Sequence, residues 1–170
     1  ARLCMRLTVR AWFHSSFGDV ALAAQMGDEA MALAIKVGSP ALLANVTLLQ
    51  AAGRHLAGDF AGAHEHARCA LDIVQSRHLL PLDALYACAS SAWADGDLAA
   101  AIHFLHALID HDAIGRDRRT VVDALALCAL VAHARHDDLV VARLGSACME
   151  AAQALPQDLP HTEYGRNVGQ

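Results

Sequence analysis

Leu56-Ala57-Gly58-Asp59-Phe60-Ala61-Gly62-Ala63-His64-Glu65-His66-Ala67-Arg68-Cys69-Ala70-Leu71 is the stretch that decides the fold. Glycine tolerates the left-handed backbone that ends a helix, and an aspartate directly after it caps the exposed N–H groups of the next helix. Beyond that pair, Phe60, Ala63, Ala67, Ala70, Leu71 and Val74 recur at helical spacing on one apolar face, while Glu65, Arg68 and Asp72 fall on the other side. The stretch therefore predicts two antiparallel helices joined by a tight bend.

The same pair recurs outward from this point. Gly18-Asp19 stands 40 residues before Gly58-Asp59, and Gly96-Asp97 stands 38 residues after it. A related turn, His136-Asp137-Asp138, begins another 40 residues on from Gly96. A fixed period of this length marks a repeat architecture, in which each unit buries its apolar face against its neighbours. At the fourth turn the glycine is missing, so either His136 takes a left-handed backbone or the bend differs in detail. Leu98, Ala101, Ile102, Leu105, Leu108 and Ile109 repeat the apolar face after the third turn. Between repeats, Gly38-Ser39-Pro40 supplies a helix stop, a capping serine and a proline at a first helical position, where its missing N–H costs nothing. Pro81 opens a further helix. The spacing predicts helices over 2–16, 19–37, 40–57, 59–76, 81–95, 97–111, 117–135 and 138–154, and no strand.

Composition agrees with close-packed helices. The chain has 170 residues, 55% of them hydrophobic and only 5% aromatic, which excludes a disordered segment and provides for a sizeable core. A net charge of −5 and a pI near 6.1 give no footprint for gripping phosphate backbones, so no direct nucleic-acid contact is expected. The short cluster Arg116, Arg118 and Arg119 reads as a solvated turn. Five scattered cysteines, Cys4, Cys69, Cys88, Cys128 and Cys148, form no Cys-x-x-Cys pair and fit a reducing cytoplasm. No uninterrupted apolar run of about 18 residues is present to span a bilayer, and no membrane partner is expected. Residues 1–154 read as one helical repeat domain. Residues 155–170, with Pro156, Pro160 and Gly165, read as a linker or the cut start of another repeat, and with Ala1 at the head the chain is expected to be a fragment of something longer.

Val37-Gly38-Ser39-Pro40-Ala41-Leu42-Leu43, then Leu56 to Ala63, then Ala70-Leu71, resemble the tetratricopeptide-like repeats of large bacterial regulators. A period near 40, longer than the roughly 34 of the standard repeat, is similar to the helical region of MalT-like and LuxR-type ATPase transcriptional regulators. The resemblance covers residues 1 to about 154. It implies an all-α fold, a right-handed α-α superhelix of about four helix-turn-helix repeats, lying between an ATPase module and a C-terminal DNA-binding domain. The chain itself contains neither a Walker-type glycine-rich loop nor a recognisable DNA-binding helix-turn-helix, so those roles would fall to other parts of such a regulator.

In that architecture the first helices of successive repeats line a partner-binding groove. The groove positions carried over by this resemblance are Met5, Thr8 and Trp12 in the first repeat, and Asn45, Leu48 and His55 in the second. In the third they are Asp83, Tyr86, Ser90 and Trp93. Trp12 and Trp93 either face such a groove or close gaps in an alanine-rich core. Asn45 matches the asparagine of tetratricopeptide carboxylate clamps, but the accompanying lysine and arginine positions are not evident, and Arg54 lies one residue off the groove line.

Eleven histidines raise the question of metal. His103, His106 and Asp110 share roughly one helical face beside His111, and His133 and His136 are three apart. No His-Glu-x-x-His pattern occurs and a third ligand would have to come from elsewhere, so packing or solvated histidines, and no metal or cofactor, are expected. His64 and His66 are two apart and point in different directions. Cys88 and Cys128 each stand eight residues before a turn, which suits small core-filling residues rather than nucleophiles.

The expectation is therefore a cytoplasmic, non-enzymatic scaffold for protein interaction and signal sensing, a part of a bacterial LuxR/MalT-type transcriptional regulator. Its partners would be a protein, a peptide or neighbouring domains. The alternatives are a free-standing adaptor that binds a peptide or partner helix, and a metal-dependent helical enzyme using His103, His106 and Asp110.

Overall fold

A computed structural model describes residues 2–154. The expected tail at 155–170 lies outside the described residues. Eight α-helices follow in order: α1 (Arg2–Ser16), α2 (Val20–Val37), α3 (Pro40–Leu56), α4 (Phe60–Ser76), α5 (Leu82–Ala94), α6 (Leu98–Ile109), α7 (Arg118–Ala134) and α8 (Asp138–Gln153). A single 3-10 turn, Ile114–Arg116, precedes α7, and no strand occurs among the described residues. The fold is all-α, built of helical hairpins.

The turns form as their residue types dictate. Gly18, Gly58 and Gly96 hold φ of 84°, 79° and 87°, a region that side-chain-bearing residues rarely enter. The aspartate after each accepts an N–H three residues on: Leu22 for Asp19, Gly62 for Asp59 and Ala100 for Asp97. At the fourth bend His136 takes φ 59° in place of the missing glycine, and Asp137 caps α8 through the Val140 N–H. Of the two options open at that turn, the left-handed histidine is the one adopted. Ser39 caps α3 with Pro40 at its first position.

The chain divides into two compact units, Ala1–Ile114 and Gly115–Gln170. In the first, α1 pairs with α2, α3 with α4 and α5 with α6, while α3 also touches α1, α2 and α5, and α4 touches α5. Each hairpin thus packs on the next, and the first helices α1, α3 and α5 are neighbours in that order. In the second unit α7 pairs with α8.

Among the described residues fifteen of the 27 buried apolar ones are alanines, so helices approach through small side chains rather than through interlocking large ones. Ala63, Ala70 and Ala101 are at most 1% exposed, and Leu105 is buried as well. Cys4, Ala30, Ala34, Leu42 and Val46 form one contiguous cluster joining α1, α2 and α3. Cys88 is fully buried and Cys128 half-buried, and burial pushes the Cys88 thiol up to about 12 and raises that of Cys128. Both are spacers in the packing, with their reactive thiolate forms suppressed.

Candidate functional site

The first unit holds a cavity of about 310 Å³ bounded by α1, α2, α3 and the start of α4. Its floor is apolar and buried: Ala11, Ala23 and Val46, with Thr8 1% exposed among them. Thr8 does not offer its hydroxyl proton to the cavity, because that proton goes to the Cys4 carbonyl at 2.6 Å. The rim is polar. Asp28 rises from α2, Gln50 and Arg54 from the last turns of α3, and Asp59 and His66 from the cap and second turn of α4.

Arg54 and Asp59 organise that rim. The guanidinium Nη1 meets Asp59 Oδ2 at 2.6 Å, while Asp59 Oδ1 accepts the Gly62 N–H at 3.0 Å. These two contacts, the arginine first, hold the Asp59 carboxyl below the ordinary carboxylate range. Gly62 has a spatial reason to lack a side chain, since a Cβ there would run into the Asp59 carboxylate and stand 2.8 Å from Arg54 Nη1. His66 Nδ1 sits 2.9 Å from the Gly62 carbonyl, which as a pure acceptor fixes that nitrogen as the donor and leaves Nε2 as the other ring nitrogen for a ligand. Buried Gly27 faces Gln50 of α3, and an added Cβ there would stand 3.8 Å from the Gln50 side chain, an ordinary van der Waals contact.

His64, two residues from His66, points elsewhere, as its spacing requires. Its Nδ1 lies 3.2 Å from the buried Ser91 hydroxyl of α5 and its ring meets the Phe104 edge of α6, so it packs between hairpins. His103, His106 and Asp110 are all exposed. Among the described residues no three His, Cys, Asp or Glu side chains are grouped to hold a metal ion.

Of the ten groove positions, only Thr8 lines the cavity, and Met5 is exposed on α1. Trp12 is 42% exposed at the outer side of α1. Asn45 is exposed and Leu48 half-buried on α3, and His55 sets its ring edge against Phe60 at 5.2 Å. On neighbouring α5, Asp83 is exposed, while Tyr86, Ser90 and Trp93 are half-buried. The Ser90 hydroxyl donates to the Ala87 carbonyl of its own helix at 3.2 Å. Neither tryptophan is fully enclosed.

Sequence reasoning passed over Asp28, Gln50, Arg54 and His66 as site residues. One signal was available: an arginine at the end of one helix, five residues before the capping aspartate of the next, followed by a glycine three residues further on. No protein-family model matches the chain, and no curated protein matches it in sequence.

Proposed function

We propose that this chain is a helical-repeat binding scaffold for signal sensing and protein interaction, rather than an enzyme. It is of the kind that tetratricopeptide-like regions supply to LuxR- and MalT-type regulators in the bacterial cytoplasm. The observation that carries the reading is the preformed cavity at the junction of two hairpins, with an apolar floor and a ring of hydrogen-bonding and charged groups. Its volume lies at the small end of the roughly 300–1,000 Å³ typical of small-molecule sites. On the rim, Asp28 and Asp59 against Arg54 leave a formal charge of −1, which suits a small ligand with an apolar body and a donor-rich head.

A ligand seated there touches helices of two successive hairpins at once. It therefore favours the mutual arrangement of α1–α2 and α3–α4 that best closes on it, which is how binding would be passed to adjoining protein. The peptide-contact half of the reading rests on α3 and α5, where Asn45 is exposed and Tyr86 and Trp93 are half-buried. For each true anchor, replacement by alanine should weaken partner binding by more than about 1 kcal/mol.

The test is thermal denaturation of the chain and its Ala24→Trp variant against a panel of small amines, amino acids and sugars. Ala24 is exposed and lines the cavity, so the ring fills the cavity without disturbing the core. The expected result is a compound that raises the melting temperature of the native chain and not of the variant. A panel that never separates the two proteins overturns the cavity as the sensing site.

A further inference from the structure

The outward side of α1 has a composition unlike the rest of the molecule. Arg2, Arg6 and Arg10 are exposed and α1 contains no acidic residue, so this helix carries +3 while the remainder of the chain carries −8, from a total of −5. None of the three arginines makes an ion pair with a described residue. Around them stand exposed apolar side chains: Leu3 at 59%, Val9 at 40%, Trp12 at 42%, Phe13 at 50% and Phe17 at 83%. The rings are already ordered, with Trp12 edge-on to Phe13 at 5.3 Å and Phe13 stacked on Phe17 at 6.4 Å.

Their order around the helix is informative. At about 100° per residue the three arginines and Phe13 fall in one sector of roughly 80°, with Val9 and Trp12 to one side and Leu3 to the other. Basic groups thus run down the middle of the first three turns, Phe13 continues that line in the last turn, and Leu3, Val9 and Trp12 stand on the flanks. A bilayer would want the reverse, because the centre of a membrane-facing side sinks deepest and must be apolar. A partner helix suits this order: its acidic stripe lies along the arginines, and its apolar side chains close over Phe13 beyond them and over Val9 and Trp12 beside them, keeping water from the ion pairs.

From this charge pattern we infer that the outward face of α1 docks an acidic amphipathic helix of another protein, with carboxylates spaced i, i+4 against Arg2, Arg6 and Arg10. This site is separate from the cavity, and its standing does not depend on whether the cavity holds a ligand.

The experiment selects from a phage-displayed library of random 16-residue peptides on the native chain, with counter-selection on an Arg6→Glu, Arg10→Glu variant. Both positions are exposed, and circular dichroism of the variant checks its fold. The expected result is enrichment of peptides with Asp or Glu at i, i+4 between apolar positions. The selected peptides should bind the charge-reversed variant at least about tenfold more weakly and should also lose affinity for Phe13→Ala. Enriched peptides without an acidic bias overturn the inference, as do peptides that bind the charge-reversed variant equally well. An α1 face that selects no peptide but holds phosphatidylserine vesicles overturns it in favour of a lipid surface.

Discussion

Arg54 at the end of α3 and Asp59 at the cap of α4 meet at 2.6 Å across the bend that joins their helices. One carboxylate thereby terminates a turn, caps a helix and forms part of the cavity rim.

That pair predicts a titration. Because the folded-state pKa of Asp59 lies below its unfolded value, its contribution to stability is present above the unfolded value and is lost as pH falls through the folded one. Arg54→Ala should move the Asp59 carboxyl back toward the ordinary carboxylate range, and the acid limb of the stability curve should begin to fall at higher pH. Carbon-detected NMR titration of the Asp59 side chain reads the shift directly; an unmoved midpoint would mean that Gly62 alone sets it.

The bends predict opposite effects at equivalent places. Gly58→Ala forces a Cβ into φ 79° and should destabilise by about 1–2 kcal/mol, although no atom lies within 4 Å to clash with it. His136→Gly removes the same penalty at φ 59° and should stabilise by up to about 1 kcal/mol, after the greater freedom of glycine in the unfolded chain is set against it. Urea denaturation of both variants measures the pair, and like signs would contradict the assigned geometry.

The cysteines should sort by environment. Cys69 is exposed, whereas Cys4 and Cys88 are buried and burial pushes the Cys88 thiol up to about 12. At pH 8, iodoacetamide should modify Cys69 at least roughly tenfold faster than Cys88 in the folded protein, and denaturant should erase the difference. Mass spectrometry of timed samples follows each site separately.

Enlarging the core should cost more than trimming it. Ala63 is 1% exposed where α4 meets its neighbours, and Ala63→Glu would place an unpaired charge there at several kcal/mol, on the order of 3–5. Its thermal transition should drop sharply or vanish. An unchanged transition would place Ala63 on the solvent side.

The helices and their bends could be read from the sequence because their causes are local. A glycine with an aspartate behind it fixes a turn wherever it stands, and the apolar period of Phe60 to Val74 identifies the buried face without knowledge of what covers it. Asp117 shows a limit of such reading. It caps α7 through the Arg119 and Thr120 N–H groups, and its carboxyl is lowered first by the Thr120 hydroxyl, yet the Ile114–Arg116 turn before it has no periodicity to announce it. The cavity was not legible for a different reason. Thr8, Asp28, Gln50 and His66 come from four helices, and only the distances between those helices bring them to one space. Trp12 was open between groove and core, and its exposure follows from a buried sector of α1 set by Cys4, Thr8 and Ala11, which leaves Trp12 turned outward.

The alanine-lined interior also shapes how this protein can vary. Where more than half of the buried apolar positions among the described residues already carry the smallest apolar side chain, alanine scanning finds nothing to remove, and most of that core stays silent to it. Neutral drift at these sites is confined to glycine, serine and cysteine, since each added methylene must displace a neighbouring helix. Cys88 and Ser91, both buried on α5, are side chains of that small size. Heritable change is thereby diverted to the outer faces, where side chains can be altered without moving the helices that carry them.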